Sequence, residues 1–239
     1  MPPAFSDRRD AGRRVAERLA DLAGDRSAAG DGDSVSGDGR DGPPGGASEA
    51  GIVVLGLPRG GVPVAAEVAS ALHAPLDVLV VGKVGVPGHE ELALAAVAAD
   101  GQIAANPSVI AAVGLTADEV ADLAGRQVRA LARRAGELRG GRAPEPLAGR
   151  TVVIVDDGMA TGATMRVAVD VVRGRSPRSL VAAVPVAAAE AVAALASQVD
   201  RMECVLTPPG FRAVGPWYSD FTQVTDDEVR SALHRADDA

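Results

Sequence analysis

Val152-Val153-Ile154-Val155-Asp156-Asp157-Gly158-Met159-Ala160-Thr161-Gly162-Ala163-Thr164 is the stretch on which the reading of this chain turns. A run of β-branched residues is the signature of a strand buried on both faces, as in a parallel sheet. Two adjacent carboxylates follow it, and open α/β sheets bind ligands beyond the carboxyl ends of their strands. Past the acidic pair, Thr161, Gly162, Ala163 and Thr164 offer backbone N–H groups and two hydroxyls where a helix-forming run begins, which is a seat for a phosphate. Carboxylates suited to sugar hydroxyls and amides suited to a phosphate, a few residues apart, describe a cradle for ribose 5-phosphate. The competing reading is an ordinary strand-turn-helix junction in which Asp and Thr serve as caps.

Working outward, strand-like and helix-like segments alternate. Strands are predicted at 52–57, 76–81, 92–98 (an Ala-rich run that also reads as helix), 102–104, 151–155, 180–184 and 202–206. Helices are predicted at 6–23 (capped by Ser6), 62–72, 116–138 (capped by Thr116), 163–173, 187–196 and 225–235. This alternation implies right-handed crossovers and a mainly parallel central sheet flanked by helices, an α/β fold. Three stretches are distinguished: an amphipathic N-terminal helix over 1–23, a Gly/Asp/Ser-rich linker over 24–50 with little to bury, and an α/β domain over 51–239. Residues 31–38 have the acidic look of a calcium loop but lack its spaced third acid, its placed glycine and its closing Glu.

Hydrophobic residues make up 47% of the 239-residue chain and aromatics only 2%, so the core has to be built from Ala, Val and Leu. A net charge of −8 argues against DNA or an anionic membrane as partner. The lone Cys204 has no cysteine partner for a disulfide or a thiolate metal site. With no apolar run of spanning length and no secretory pattern at the N-terminus, a cytoplasmic protein is expected. The arginines at 126, 129, 133 and 134 read as a solvated helix face.

A second constellation follows the first core strand. In Leu57-Pro58-Arg59-Gly60-Gly61-Val62-Pro63, two glycines let the backbone approach an anion closely, and Arg59 adds a bidentate donor. The turn does not carry the Gly-X-Gly-X-X-Gly fingerprint of a dinucleotide site.

Together the two segments resemble the type I phosphoribosyltransferases, whose pattern is an apolar strand, two acidic residues and then Thr-Gly-X-Thr. The wider resemblance, over Phe5–Leu19, Leu57–Val68, Lys83–Ala98 and Phe211–Val229, is to a bacterial group of uncharacterised phosphoribosyltransferase-like proteins. It implies the type I phosphoribosyltransferase fold with a small hood, and a Mg²⁺-dependent transfer of ribose 5-phosphate from phosphoribosyl pyrophosphate (PRPP) to a nitrogenous, nucleobase-like acceptor in nucleotide metabolism. Asp156 and Asp157 are then the catalytic pair and hold Mg²⁺ through water or ribose hydroxyls. Gly158, Met159, Ala160, Thr161, Gly162, Ala163 and Thr164 grip the 5′-phosphate. Arg59, Gly60 and Gly61 meet the pyrophosphate, joined by Lys83 and His89 from a mobile loop, Lys83–Glu91, that closes over the donor. Trp217 and Tyr218 face the acceptor in the hood.

Two positions bear on the reading: one departs from the group's pattern and the other discriminates among acceptors. Gly82 stands where the group commonly has Arg, and Ala160 stands where hypoxanthine-guanine enzymes have an Asp that assists at the purine. The resemblance is compatible with a homodimer. It also leaves room for a non-catalytic PRPP- or nucleotide-sensing regulator, or for a hydrolase acting on PRPP or a phosphosugar.

Overall fold

The computed structural model describes residues 3–24 and 51–237. The linker reading beyond Gly24 and the calcium reading at 31–38 lie outside the described residues. In chain order the elements are α1 (Arg8–Arg18), α2 (Asp21–Gly24), β1 (Ile52–Gly56), α3 (Gly61–Ala71), β2 (Leu76–Val78), β3 (Val81–Val86), β4 (His89–Ala98), β5 (Ile103–Ala105), α4 (Pro107–Val113), α5 (Ala117–Arg139), β6 (Thr151–Val155), α6 (Ala163–Arg173), β7 (Ser179–Val186), α7 (Ala189–Ala196), β8 (Arg201–Leu206) and α8 (Asp226–Asp237).

Five strands form a parallel sheet in the order β2-β1-β6-β7-β8. Every residue of β1 and β6 is buried, as their unbroken apolar runs require of strands covered on both faces. Alternate side chains divide between two cores. Ile52, Val54, Val153 and Val155 pack with α1, α3 and α8, while Val53, Leu55, Val152 and Ile154 pack with α6 and α7. The chain moves from β1 outward to β2 on one side and from β6 to β7 and β8 on the other. The order therefore reverses between β1 and β6, and at such a switch point the loops diverge to opposite faces and open a crevice. Gly56 pairs with Val155 at the ends of these two strands, so the two motif turns leave the sheet side by side.

A second, antiparallel sheet, β3-β4-β5, packs against α4 and α5 through Val84, Val86, Leu94 and Val97, and against α6 through Ala96, Ala98 and Val171. Four sequence expectations change here. The apolar run 76–81 is not one strand: β2 ends at Val78 and the chain passes to the other sheet, with the N–H of Leu79 on the Gly56 carbonyl and that of Ala99 on the Val80 carbonyl. The Lys83–Glu91 segment lies largely in strands, forming the β3–β4 hairpin with an irregularity at Gly85. Residues 107–113, given no element above, form α4, started by Asn106 and Pro107 and closed by Gly114 at φ 69°. The cap of α1 is Asp7, whose side chain accepts from the Asp10 N–H; Ser6 instead donates its own N–H to Asp10.

Helix α5 begins with the expected Thr116, in a full capping box with Glu119. Its last turn is tied to β2 by Arg139, which grips the buried Asp77 through Nε (2.7 Å) and one terminal nitrogen (3.0 Å). Arg134 leaves the expected solvated face: it makes a two-pronged ion pair with Asp226 at the start of α8. Cys204 is half-buried on edge strand β8, where burial pushes its thiol up to about 11. Among the described residues, no helix is long and apolar enough to cross a membrane.

Candidate active site

The acidic pair follows directly on β6, at the switch-point end of the sheet. Asp156 Oδ1 accepts the N–H of Asp157 at 2.9 Å. Burial raises the pKa of Asp156 well above the usual carboxylate range, and the neighbouring charge of Asp157 adds to it. Asp157 is also raised by burial, but Arg8 opposes the shift. Burial therefore resists the ionisation of both neighbouring carboxylates.

The turn after β1 packs onto this pair. A Cβ on Gly60 would stand 2.0 Å from Asp157 Oδ2, and one on Gly61 would stand 2.6 Å from the Val155 carbonyl oxygen and 2.8 Å from the Asp156 Cα. Both glycines are therefore required for close approach of the two turns to each other. The Pro58–Arg59 peptide is cis. The Gly61 N–H is committed to the Leu57 carbonyl at 2.9 Å. Arg59 is partly exposed, its guanidinium 4.0 Å from Asp226, the carboxylate that also holds Arg134.

On the other side of the acidic pair the chain is anchored and then opens. The Met159 N–H donates to the Val186 carbonyl and the Ala188 N–H returns to Met159, so Met159 is a buried pin. Ala160, Thr161, Ala163 and Thr164 are exposed around the N-terminus of α6. Gly162 caps that helix at φ 73°, a left-handed conformation that suits glycine, and offers no side-chain cap. The Thr161 hydroxyl accepts the Ala163 N–H at a long 3.4 Å. An 11-residue helix whose N-cap Gly162 supplies no side-chain cap presents a partial positive charge at its start, a few residues from the two carboxylates.

The remaining expected residues are placed less directly. Lys83 lies on β3 and is paired across the hairpin with Glu91 at 3.0 Å, and His89 is exposed at the start of β4. A Cβ on Gly82 would lie 2.9 Å from Gln127 Nε2 and 3.4 Å from Leu131, so α5 fills the space a longer residue would need. Tyr218 is 4% exposed, its ring between Phe5 and Phe221, and its hydroxyl donates to the Asp157 carbonyl at 2.6 Å. Trp217 is half-buried and stacked on Phe211, with ring centroids 6.4 Å apart. Arg8 on α1, which sequence spacing gave no reason to single out, reaches Asp157 Oδ2 at 2.8 Å.

The parallel α/β sheet brings an acidic pair, a Gly-Gly turn and the N-terminus of α6 together at its switch point. Residues 45–209 match the phosphoribosyl transferase domain, and the chain belongs to that family. It is 45% identical over 232 residues to two Mycobacterium tuberculosis proteins, "Putative phosphoribosyl transferase MT0597" of strain CDC 1551 / Oshkosh and "Putative phosphoribosyl transferase Rv0571c" of strain H37Rv. The match covers 97% of this chain and 47% of each relative, so the chain spans about half the length of these curated relatives. The crystal structure of TT1426 from Thermus thermophilus superposes with a TM-score of 0.78 at 40% identity, covering 98% of this chain and 99% of that one. The fold is the type I phosphoribosyltransferase fold.

Proposed function

We propose that this protein transfers ribose 5-phosphate from PRPP to a nitrogenous, nucleobase-like acceptor and releases pyrophosphate. The observation that carries the reading is the contact between the turns after β1 and β6: Gly60 lies against Asp157, with the open N-terminus of α6 next in the chain. A sugar phosphorylated at both ends fits such a crevice, its 5′-phosphate on the Ala160–Thr164 turn and its diphosphate toward Arg59 and Gly60. Asp156 and Asp157 hold the ribose hydroxyls and steady the anomeric carbon as it gains positive character. Lys83 and His89 belong to the hairpin that neutralises the diphosphate, and Lys83 has to exchange Glu91 for it. Of the two hood aromatics, Trp217 retains the exposure an acceptor contact needs.

The donor set suits Mg²⁺. Two carboxylates are hard oxygen ligands, and among the described residues no group of three or more His, Cys, Asp or Glu is arranged to hold a metal by itself. Asp156 and Asp157 would hold the ion through water, and when bound it supplies charge neutralisation of the diphosphate.

The test is pyrophosphate release from PRPP with Mg²⁺ across a panel of nitrogenous bases, in the wild type and in an Asp156→Asn/Asp157→Asn double variant. We expect acceptor-dependent release by the wild type and a loss of at least about a hundredfold in the variant. Release without any acceptor would reassign the protein as a hydrolase. Tight PRPP binding without turnover would make it a sensor. Near-normal turnover in the folded double variant would overturn the site.

A further inference from the structure

The carboxylate and the backbone carbonyl of Asp157 are held by Arg8 and Tyr218, which both lie outside the matched family segment 45–209. Arg8, from the first turn of α1, donates Nε–H to Asp157 Oδ2 at 2.8 Å, with the two side chains 11% and 15% exposed. A terminal nitrogen of the same guanidinium donates to the Thr222 carbonyl at 2.8 Å. Its central carbon lies 4.0 Å from the Phe221 ring centroid and 6.0 Å from that of Tyr218. Tyr218 in turn donates its hydroxyl to the Asp157 backbone carbonyl. The two ends of the chain are laced together to make this arrangement: the Ala4 and Phe5 N–H groups donate to the Trp217 carbonyl, Ser219 N–H to Phe5, and Asp220 N–H to Ser6.

A surface ion pair would carry little meaning. This one is nearly enclosed, stacked on an aromatic ring, and directed at a single oxygen of a residue in the candidate catalytic pair. Of the two carboxylate oxygens, Arg8 meets Oδ2. Left to itself, a carboxylate beside Asp156 would turn away from its neighbour's charge. With Oδ2 pinned, it cannot rotate, and one of its oxygens stays available to a ligand. The guanidinium also offsets one of two negative charges that a polyanionic donor must approach, an effect that is large in a site shielded from water.

Resting on the function proposed above, we infer that Arg8 is a positioning residue for the sugar-diphosphate site. It acts through Asp157, fixing that carboxylate's orientation and lowering the repulsion felt by an incoming PRPP. The N-terminal helix and the C-terminal hood thereby complete a site whose other parts lie in the family domain.

The experiment titrates PRPP and Mg²⁺ calorimetrically into the wild type, Arg8→Ala, Arg8→Lys and Asp7→Ala, and records the melting temperature of each. Asp7→Ala removes the cap of α1 without touching Asp157, so it reports what loosening the helix alone does. We expect Arg8→Ala to weaken PRPP binding by about tenfold to a hundredfold, the usual effect of losing a residue that orients a ligand-binding group. Arg8→Lys restores part of the loss through its charge, and millimolar methylguanidinium added to Arg8→Ala restores part through the vacated space. Asp7→Ala lowers the melting temperature and leaves PRPP affinity within about twofold. Unchanged affinity in Arg8→Ala overturns the inference and leaves the proposed function standing. So does an equal loss in Asp7→Ala, or failure of both Arg8→Lys and methylguanidinium to restore binding. A wild type that does not bind PRPP overturns both.

Discussion

At the residue scale, Asp156 shows most directly how the site is set against the stability of the fold. It lies at the end of a fully buried strand, and burial holds its pKa above that of an unfolded carboxyl. In acid, below the unfolded value, the group is neutral in both states and costs nothing. As the pH rises through the folded-state pKa, the unfolded chain releases its proton more readily than the fold does, so folding loses stability, and the whole penalty is present above that pKa. Asp156→Asn keeps an oxygen for the Asp157 N–H and removes the charge. The ligand-free variant is expected to resist urea better than the wild type at pH 7, with the difference closing toward pH 3. Urea midpoints at four or five pH values would measure this, and a variant less stable than the wild type at pH 7 would show that Asp156 is not strained by its burial. Sequence spacing singled this residue out as a candidate because strand, acid and Gly/Thr loop lie within a few residues. It could not identify Arg8, 149 positions away, because no local pattern encodes an ion pair between distant segments.

At the scale of elements, the strands and helices flanking the two motifs were legible almost to their ends, since continuous β-branched runs and helical spacing leave little choice. The boundary between β2 and β3 was hidden for the same reason. Leu76–Val81 is uniformly apolar but for Asp77, and nothing in such a run marks where a chain leaves one sheet for another. The hairpin β3–β4 was obscured by Gly85, Pro87 and Gly88, which suggest a loop but here make a bulge and a tight turn with Gly88 at φ 80°. Asp77, inside the apolar run, was the available clue to an irregular strand. Its carboxylate holds Arg139 and accepts the N–H groups of Val78 and Glu145. This pair fastens the end of α5 to the sheet. Asp77→Ala should cost about 3–5 kcal/mol in urea unfolding, because it leaves a largely buried guanidinium without a counter-charge. The double variant Asp77→Ala/Arg139→Met should recover much of that loss, since it removes the stranded charge as well. Additive losses would show that the pair does not act as a unit.

At the scale of the whole molecule, the described ends of the chain pack against the candidate site and into the core. Val15 of α1 and its C-cap Leu19 are buried in the same cluster as β1, α3 and α8, while Phe5 packs with Tyr218 over the end of β7. The sequence made the N-terminal helix and the aromatic-rich 211–221 region visible separately. Their mutual contact was not visible, because backbone pairing between two irregular segments leaves no periodic trace. That contact bears on cooperativity, and Trp217 allows it to be read, since it is the sole tryptophan and its carbonyl receives the Ala4 and Phe5 N–H groups. If the laced ends unfold with the sheet, the Trp217 fluorescence transition in urea should coincide with the loss of far-ultraviolet circular dichroism, as all-or-none unfolding demands. A ligand held by Asp157 and the turns at the sheet's switch point then stabilises both signals equally, because it binds the one folded state. A fluorescence transition at distinctly lower urea, with helix content intact, would mean that the ends open as a separate unit. In that case Arg8 would leave Asp157 before the sheet unfolds, and binding of the sugar diphosphate should raise the fluorescence midpoint more than the circular-dichroism midpoint.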